Sequence, residues 1–309
     1  MKLKRYQPFI YLLLALAFSI LFRVLHHFSL DKSALVYIGF PFVIGVVLSA
    51  IKSHVERNDP KVESWWRRSW DHFVGSSVVV LASSLMLFEG FICVLMLLPV
   101  YYFVILFCFG VREMLRRCED GTRFFPAHSL PIVMVALSLE GVAPELSIDR
   151  HNQVVISQDV NLDISTIREN LIKPIELSED RSALLKLFPM PYQISGETLK
   201  QGDVHKIDFR YHRWFVTNTH EGSMWLKLSE VEDQRIRTEF LKDTSYISTY
   251  MRLQSTEINF EPLAGGQTRV SLSIEYERRL DPAWYFGPLQ RYAVEQMAHH
   301  LIKEVMVRE

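Results

Sequence analysis

Apolar and polar positions alternate in two different ways along this chain, and the change comes near its middle. From Pro8 to Leu25 almost every residue is apolar (FIYLLLALAFSILF), and a second such run covers Ala34 to Ile51. A third, Phe73 to Val111, is interrupted only by Glu89-Gly90. A hydrocarbon core of ~30 Å needs about 20 apolar residues in a helix, and the third run is about twice that long. The pattern therefore predicts four membrane spans, at about 8–27, 34–51, 73–89 and 91–111, with Glu89 at the turn of a helical hairpin rather than at the bilayer centre, where a charge costs a few kcal/mol. Gly39, Pro41 and Gly45 in the second run are tolerable in lipid because neighbouring helices cover or re-satisfy the backbone. Lys2, Lys4 and Arg5 would also suit the basic start of a signal peptide, but no small-residue cleavage site follows and another apolar run comes at once.

After Asp149 the period drops to two, the signature of half-buried strands. A strand over Gln153 to Leu162 is followed by a short helix, Asp163 to Leu171, with Asp163 or Ser165 as N-cap, and by a second, Ser178 to Phe188, that Pro189 helps to end. Strands are then expected over Tyr192–Thr198, Val204–Tyr211, Trp214–Glu221, Met224–Val231, Arg235–Lys242, Leu253–Glu261 and Thr268–Arg278, with turns at Gln201–Asp203 and Gly265-Gly266. In the last, Val270, Leu272, Ile274 and Tyr276 share one face while Arg269, Ser271, Ser273, Glu275 and Glu277 share the other. A long helix from about Pro288 to Val307 closes the chain, its apolar line Leu289, Ala293, Met297, Leu301 and Val305 stepping by four with Tyr292 alongside. Pro288 is expected in its first turn.

Composition alone conceals this division, because 49% hydrophobic and 22% charged residues average a membrane half with a water-soluble one. A net charge of −1 offers no basic surface for nucleic acid, which is excluded as a partner. Cys93, Cys108 and Cys118 all precede Asp149, so the soluble half has no disulfide framework or cysteine metal site. Lys and Arg cluster before the first span, between spans two and three, and after span four (Arg112, Arg116, Arg117, Arg123). The positive-inside rule makes all three segments cytoplasmic, in a multi-pass protein of the cell (inner) membrane with a cytoplasmic N-terminus. Within the second, Val62, Trp66, Trp70 and Phe73 at helical spacing beside Arg67 and Arg68 predict a short helix in the headgroup layer. Residues 124–148 form a hinge. If 124–143 is a fifth span the soluble domain faces the periplasm or exterior, and otherwise the cytoplasm; the fifth span is the reading preferred.

The order of strand, two short helices, a run of antiparallel strands and a long amphipathic C-terminal helix resembles the START/Bet v1-like superfamily (SRPBCC), which includes polyketide cyclases and lipid-transfer domains. Three stretches carry the resemblance: VVISQDVNLDISTIRENL, GETLKQGDVHKIDF, and EPLAGGQTRVSLSIEYERRLDPAWYFGPLQRYAVEQMAHHLIKEV. It covers residues 149–309 and not the membrane half, and it is a likeness of layout without a catalytic motif. It implies an α+β helix-grip domain, a curved antiparallel sheet wrapped on the C-terminal helix, following an α-helical membrane bundle (1–123) of four or five spans. It also implies an apolar cavity between sheet and helix for a hydrophobic small molecule or lipid. Strand parity then nominates Ile207, Phe209 and Tyr211, Ile258 and Phe260, and Leu272, Ile274 and Tyr276 as lining residues, joined by Trp225, Met297 and Leu301. For any one of them, simple core packing is the competing and commoner reading.

Polar candidates for chemistry are Arg210, His212, His220, Tyr246, Tyr250 and His299-His300. Parity puts Arg210 and His212 on the wet side of their strand. His26-His27 point about 100° apart on a helix, which disfavours a shared metal. No phosphate loop, HExxH helix or nucleophile elbow occurs, so neither cofactor nor metal is expected. The expected function is a membrane-anchored domain that binds or transfers a hydrophobic, lipid-like ligand without catalysis, beside the bilayer and with no identifiable protein partner. The alternatives are a cyclase or dehydratase-type enzyme, and a membrane assembly or stress-response adaptor.

Overall fold

A computed structural model describes residues 13, 16–17, 19–58, 70, 73–82, 91–118, 130–173, 175–176, 190–196, 198–214 and 217–307. The chain divides into two compact units, Met1–Ile148 and Asp149–Glu309.

In the N-terminal unit the described helices are α1 (residues 19–27), α2 (Phe40–Asn58, entered through a π-helical turn at Leu35–Gly39), α3 (Phe73–Ala82), α4 (Phe91–Cys118) and α5 (Leu130–Leu137). Among the described residues one stretch, the 20 residues Leu95–Met114 of α4, is long and apolar enough to cross a membrane; Leu35–Ile51 and Phe73–Ala82 are shorter apolar helices. Ile44 and Leu48 of α2, Val79 and Val80 of α3, and Tyr101 and Ile105 of α4 form one core. Gly45 lets α2 and α4 approach, since a Cβ there would stand 2.8 Å from Cys108 Sγ. The Tyr101 hydroxyl, buried in this core, donates to Ser76 O at 2.8 Å, which removes the penalty of an unpaired polar group in an apolar setting. The turn expected at Glu89-Gly90 lies outside the described residues, as does most of the expected tryptophan helix. Of that helix, Trp70 stacks on Phe73 at 5.7 Å, and Phe73 on Tyr102 at 4.6 Å.

The C-terminal unit is built on one antiparallel sheet: β1 (His151–Val160), β2 (Ile175–Glu176), β3 (Met190–Ser195), β4 (Val204–Trp214), β5 (Thr217–Val231), β6 (Arg235–Asp243), β7 (Met251–Pro262) and β8 (Thr268–Arg278). Strands β2 to β8 meander in sequence order and β1 returns beside β8. Bulges in β3, β5 and β7 bend the strands locally. Between β1 and β2 lies α6 (Ile164–Ile172), capped by Asp163, whose carboxylate accepts from Thr166 N at 3.0 Å. The second helix expected at 178–188 lies outside the described residues.

Three expectations need correction. The strands expected at Trp214–Glu221 and Met224–Val231 are one strand, β5, because Gly222-Ser223 does not turn. Gly222 is small for another reason: a Cβ there would stand 2.3 Å from Thr244 O, so the chain leaving β6 crosses directly over it. The last helix, α7, begins at Ala283 and runs to Leu301, continuing as a π-helical turn to Val307. Pro288 is therefore inside it, and Pro282 is its N-cap. Finally, its buried side is Phe286, Gln290, Ala293, Val294, Ala298 and Ile302, about one residue round from the expected line. The buried line also steps by four but is set one residue on from the expected one, so Tyr292 is left exposed, while Ala293 and Val305 of the expected line are buried. From this buried side Val294, Ala298 and Ile302 join Val154, Ile258, Phe260, Val270, Leu272, Ile274 and Tyr276 in a single core.

Candidate functional site

Alternation in β8 is strict: Thr268, Val270, Leu272, Ile274, Tyr276 and Arg278 are buried, and the residues between them are half-buried. The register carries this inner face across the sheet, setting Ile274 opposite Val154, Leu272 opposite Ile258, and Val270 opposite Phe260. Further along the sheet, on the same inner face, Ile194, Ile207 and Met224 stand in one row across β3, β4 and β5. Here the covering is looser. Ile194, Ile207 and Leu226 are half-buried, as are Met297 and Leu301 of α7.

Beyond Ile207 the inner face becomes aromatic. Phe209 and Tyr211 are buried, and the ring of Tyr246, on the 3-10 turn Tyr246–Thr249, stacks on Tyr211 at 4.8 Å. Tyr250 meets Tyr246 edge-on at 5.5 Å, and His220 tilts against it at 5.6 Å. The close passage over Gly222 is what brings this turn onto the sheet. Asp243 stands at its entrance, accepting Ser245 N at 2.8 Å on Oδ1, while Oδ2 has no hydrogen-bond partner among the described residues. Burial pushes the Asp243 carboxyl above the ordinary aspartate range, offset in part by Ser245 and by the charge of Arg279. Arg279 in turn donates to Ser248 O at 2.8 Å.

Two further polar atoms lie sealed in this interior. Gln290 donates Nε2 to Tyr250 O at 3.1 Å, but among the described residues its Oε1 finds no hydrogen-bond partner, and neither does Tyr276 Oη. Burial holds the Tyr276 hydroxyl above its ordinary pKa. Arg278, by contrast, is 1% exposed and fully engaged: it donates to Leu280 O and to Asp281, whose other carboxylate oxygen takes Arg150. That cluster fastens the start of β1 to the β8–α7 junction.

The expected lining residues separate into three groups. Ile258, Phe260, Leu272, Ile274 and Tyr276 belong to the packed core, with Leu301 lying against it. Ile207, Phe209, Tyr211 and Met297 lie outside that core, the first and last half-buried. Trp225 is not on this face: it stands opposite Lys206, with Lys242 Nζ 5.2 Å from its ring, because the inner positions of β5 are Met224, Leu226 and Leu228. Of the polar candidates, His220, Tyr246 and Tyr250 converge, whereas Arg210 is exposed and paired with Glu221 at 2.9 Å, and His299 is exposed. The side chain of His212 lies outside the described ones. Asp243 and Gln290 were not anticipated. A polar residue four before Val294 and four after Phe286 was the available signal for Gln290; Asp243 offered none.

A meander of antiparallel strands gripping a long C-terminal helix is the helix-grip layout. No family model matches the sequence, and no curated protein matches it. Solved structures similar to it include a START superfamily protein from Mycobacterium smegmatis (16% identity, 50% of this chain and 96% of that one, TM-score 0.33). Norcoclaurine synthase from Thalictrum flavum, in complex with dopamine and hydroxybenzaldehyde, matches with 16% identity over 52% of this chain and 88% of that one (TM-score 0.32). Major latex-like protein 151 from Panax ginseng matches with 12% identity over 49% and 99% (TM-score 0.28). The fold assignment rests on the strand order and registers rather than on these likenesses.

Proposed function

We propose that the C-terminal unit takes up a hydrophobic, lipid-like molecule against the inner face of its sheet, without catalysis, and that the N-terminal unit holds the chain in the cell membrane. The observation that carries the binding reading is an apolar interior in which, among the described residues, a few buried polar atoms make no hydrogen bond, among them Tyr276 Oη, Gln290 Oε1 and Asp243 Oδ2. Small-molecule sites are mostly apolar with a small number of placed polar groups, and a buried polar atom without a partner costs roughly 1–3 kcal/mol. The half-buried row of Ile194, Ile207, Leu226, Met297 and Leu301 is the side from which a ligand would enter. Membrane anchorage is supported by Leu95–Met114 and by the exposed apolar side chains Val43, Val46, Phe103, Leu106 and Ile132 around the helices, an exterior suited to lipid rather than water.

The test is photolabelling of the full chain in its membranes with a photoactivatable fatty-acyl probe, followed by peptide mapping. Label is expected on peptides of β4, β5 and α7, displaced by unlabelled lipid. Label confined to residues 1–148 would overturn the binding reading. Retention of the chain in the membrane pellet after an alkaline carbonate wash tests the anchor separately. A reporter fused after Glu309 tests the proposed placement of the C-terminal unit on the periplasmic or exterior side.

A further inference from the structure

The outer face of the same sheet carries a hollow of about 210 Å³ lined by Gln153 and Val155 of β1, Ser273 and Glu275 of β8, Ser255, Glu257 and Asn259 of β7, and Arg237 of β6. Its volume is below the ~300–1,000 Å³ of sites for drug-sized ligands, so its occupant is small. The charges in it are distributed unevenly. Arg237 stands directly opposite Glu230 on β5 and Glu257 on β7, and cross-strand pairing would ordinarily join it to one of them. Both acids instead turn one step along the sheet to Arg235, at 3.4 Å and 2.9 Å. Glu257 is further held by Asn259 Nδ2 at 2.9 Å, and the hydrogen bonds from Asn259 and Arg235 keep its carboxyl below the ordinary glutamate range. Arg237 is left half-buried, with no salt bridge or side-chain hydrogen bond of its guanidinium among the described residues. Across the hollow Glu275 accepts one hydrogen bond, from Ser255 Oγ at 2.5 Å, and has no cationic partner within salt-bridge distance among the described residues. Among the described residues the hollow thus presents one guanidinium that makes no hydrogen bond and acts on Glu257 through its charge alone, and one carboxylate without a counter-ion, beside hydroxyl and amide groups. A guanidinium in this state suits an oxyanion, which it can hold with two parallel hydrogen bonds.

We propose that this hollow binds a small zwitterion, its oxyanion on Arg237 and its ammonium on Glu275. A free amino acid and an ethanolamine phosphate headgroup share that chemistry. The inference is independent of what occupies the inner face, because alternate residues of the same strands form the two sites.

Titration calorimetry of the full chain in a non-ionic detergent tests it with O-phosphoethanolamine and β-alanine as zwitterions, and inorganic phosphate and ethanolamine as half-ligands. Saturable binding of at least one zwitterion is expected, with each half-ligand weaker by roughly tenfold or more. Arg237→Gln and Glu275→Gln are each expected to weaken that binding by a similar factor, with unfolding temperatures little changed because neither side chain makes a salt bridge among the described residues and the amide introduced by Glu275→Gln can still accept from Ser255. Flotation with vesicles containing phosphatidylethanolamine, against vesicles of phosphatidylglycerol, separates the sources: preferential flotation lost in Arg237→Gln assigns a headgroup, and binding of the soluble zwitterions alone assigns a free metabolite. The proposal is overturned if no probe saturates, if both variants bind as the parent does, or if glycerol or glucose competes equally well.

Discussion

On the outer face of the sheet, Gln153 finds Ser273, Ser157 finds Ser271, and Arg269 finds Asp159 on the neighbouring strand. In the interior, Tyr276 Oη and Gln290 Oε1 find no partner among the described residues, and Arg278 is buried with Asp281, Leu280 O and, through Asp281, Arg150 around it. The same strands supply both faces, so composition does not separate them; solvent does. Outside, a polar group that loses its partner takes water and little is lost, whereas inside each polar atom must be matched by a specific protein group or by a ligand.

The sharpest way to break this comparison is at the buried cluster. Asp281→Ala leaves Arg278 charged and 1% exposed without its carboxylate, and a loss of ~3–5 kcal/mol in chemical denaturation of the detergent-solubilised chain is expected. A loss below about 1 kcal/mol would mean that water reaches the cluster. Next come two neighbours on β8. Leu272→Ala, in the core at 3% exposure, is expected to cost ~2–5 kcal/mol, and Ser273→Ala, on the outer face, to stay within about 0.5 kcal/mol. Tyr276→Phe is expected to be neutral or to stabilise by up to about 1 kcal/mol, since it removes a buried hydroxyl that makes no hydrogen bond. The same variant should weaken capture of a lipid probe bearing a polar head if that hydroxyl serves the ligand.

The smallest effects concern two carboxylates whose pH dependences run in opposite directions. Burial raises Asp243, so the folded state favours its protonated form. Its contribution is fully present below the ordinary aspartate value of about 3.9 and is lost as pH rises through the raised folded value. Asp243→Asn should therefore raise the unfolding midpoint at pH 7, a gain that fades towards pH 4. Hydrogen bonds from Asn259 and Arg235 lower Glu257, so its contribution is present above the ordinary glutamate value of about 4.3 and is lost as pH falls through the depressed folded value. Glu257→Gln should lower the midpoint at pH 7, and the difference should close in acid. A pH series of unfolding midpoints for both variants checks the two signs together.

How far the sequence reaches can be followed residue by residue. Thr268–Arg278 was legible end to end because its alternation is unbroken, and the cap of α6 was legible to within Asp163 or Ser165 because its role is local, the structure choosing Asp163. Ile258, Phe260, Leu272, Ile274 and Tyr276 were placed on one face by parity, which is a property of the strand alone. Trp225 was nominated for its aromatic side chain against the parity of its own strand, in which Met224, Leu226 and Leu228 alternate with Trp225, Lys227 and Ser229. The merging of two expected strands into β5 was hidden because Gly222 reads locally as a turn, and only the chain crossing it from Thr244 explains it.

By itself, then, the sequence determined where apolar runs give way to alternation, which residues share a strand face, and that a long helix closes the chain; each follows from periods of 3.6 or two, counted within a few neighbours. The tertiary structure alone decided which polar atoms are engaged. Whether Glu257 pairs with Arg235 or Arg237, whether Arg278 is met by Asp281 and Arg150, and whether Gln290 faces the interior depend on register and on contacts between residues up to 131 positions apart. Charge and hydrogen bonding act through space, and a linear pattern carries no record of which distant groups the fold will bring within 3 Å.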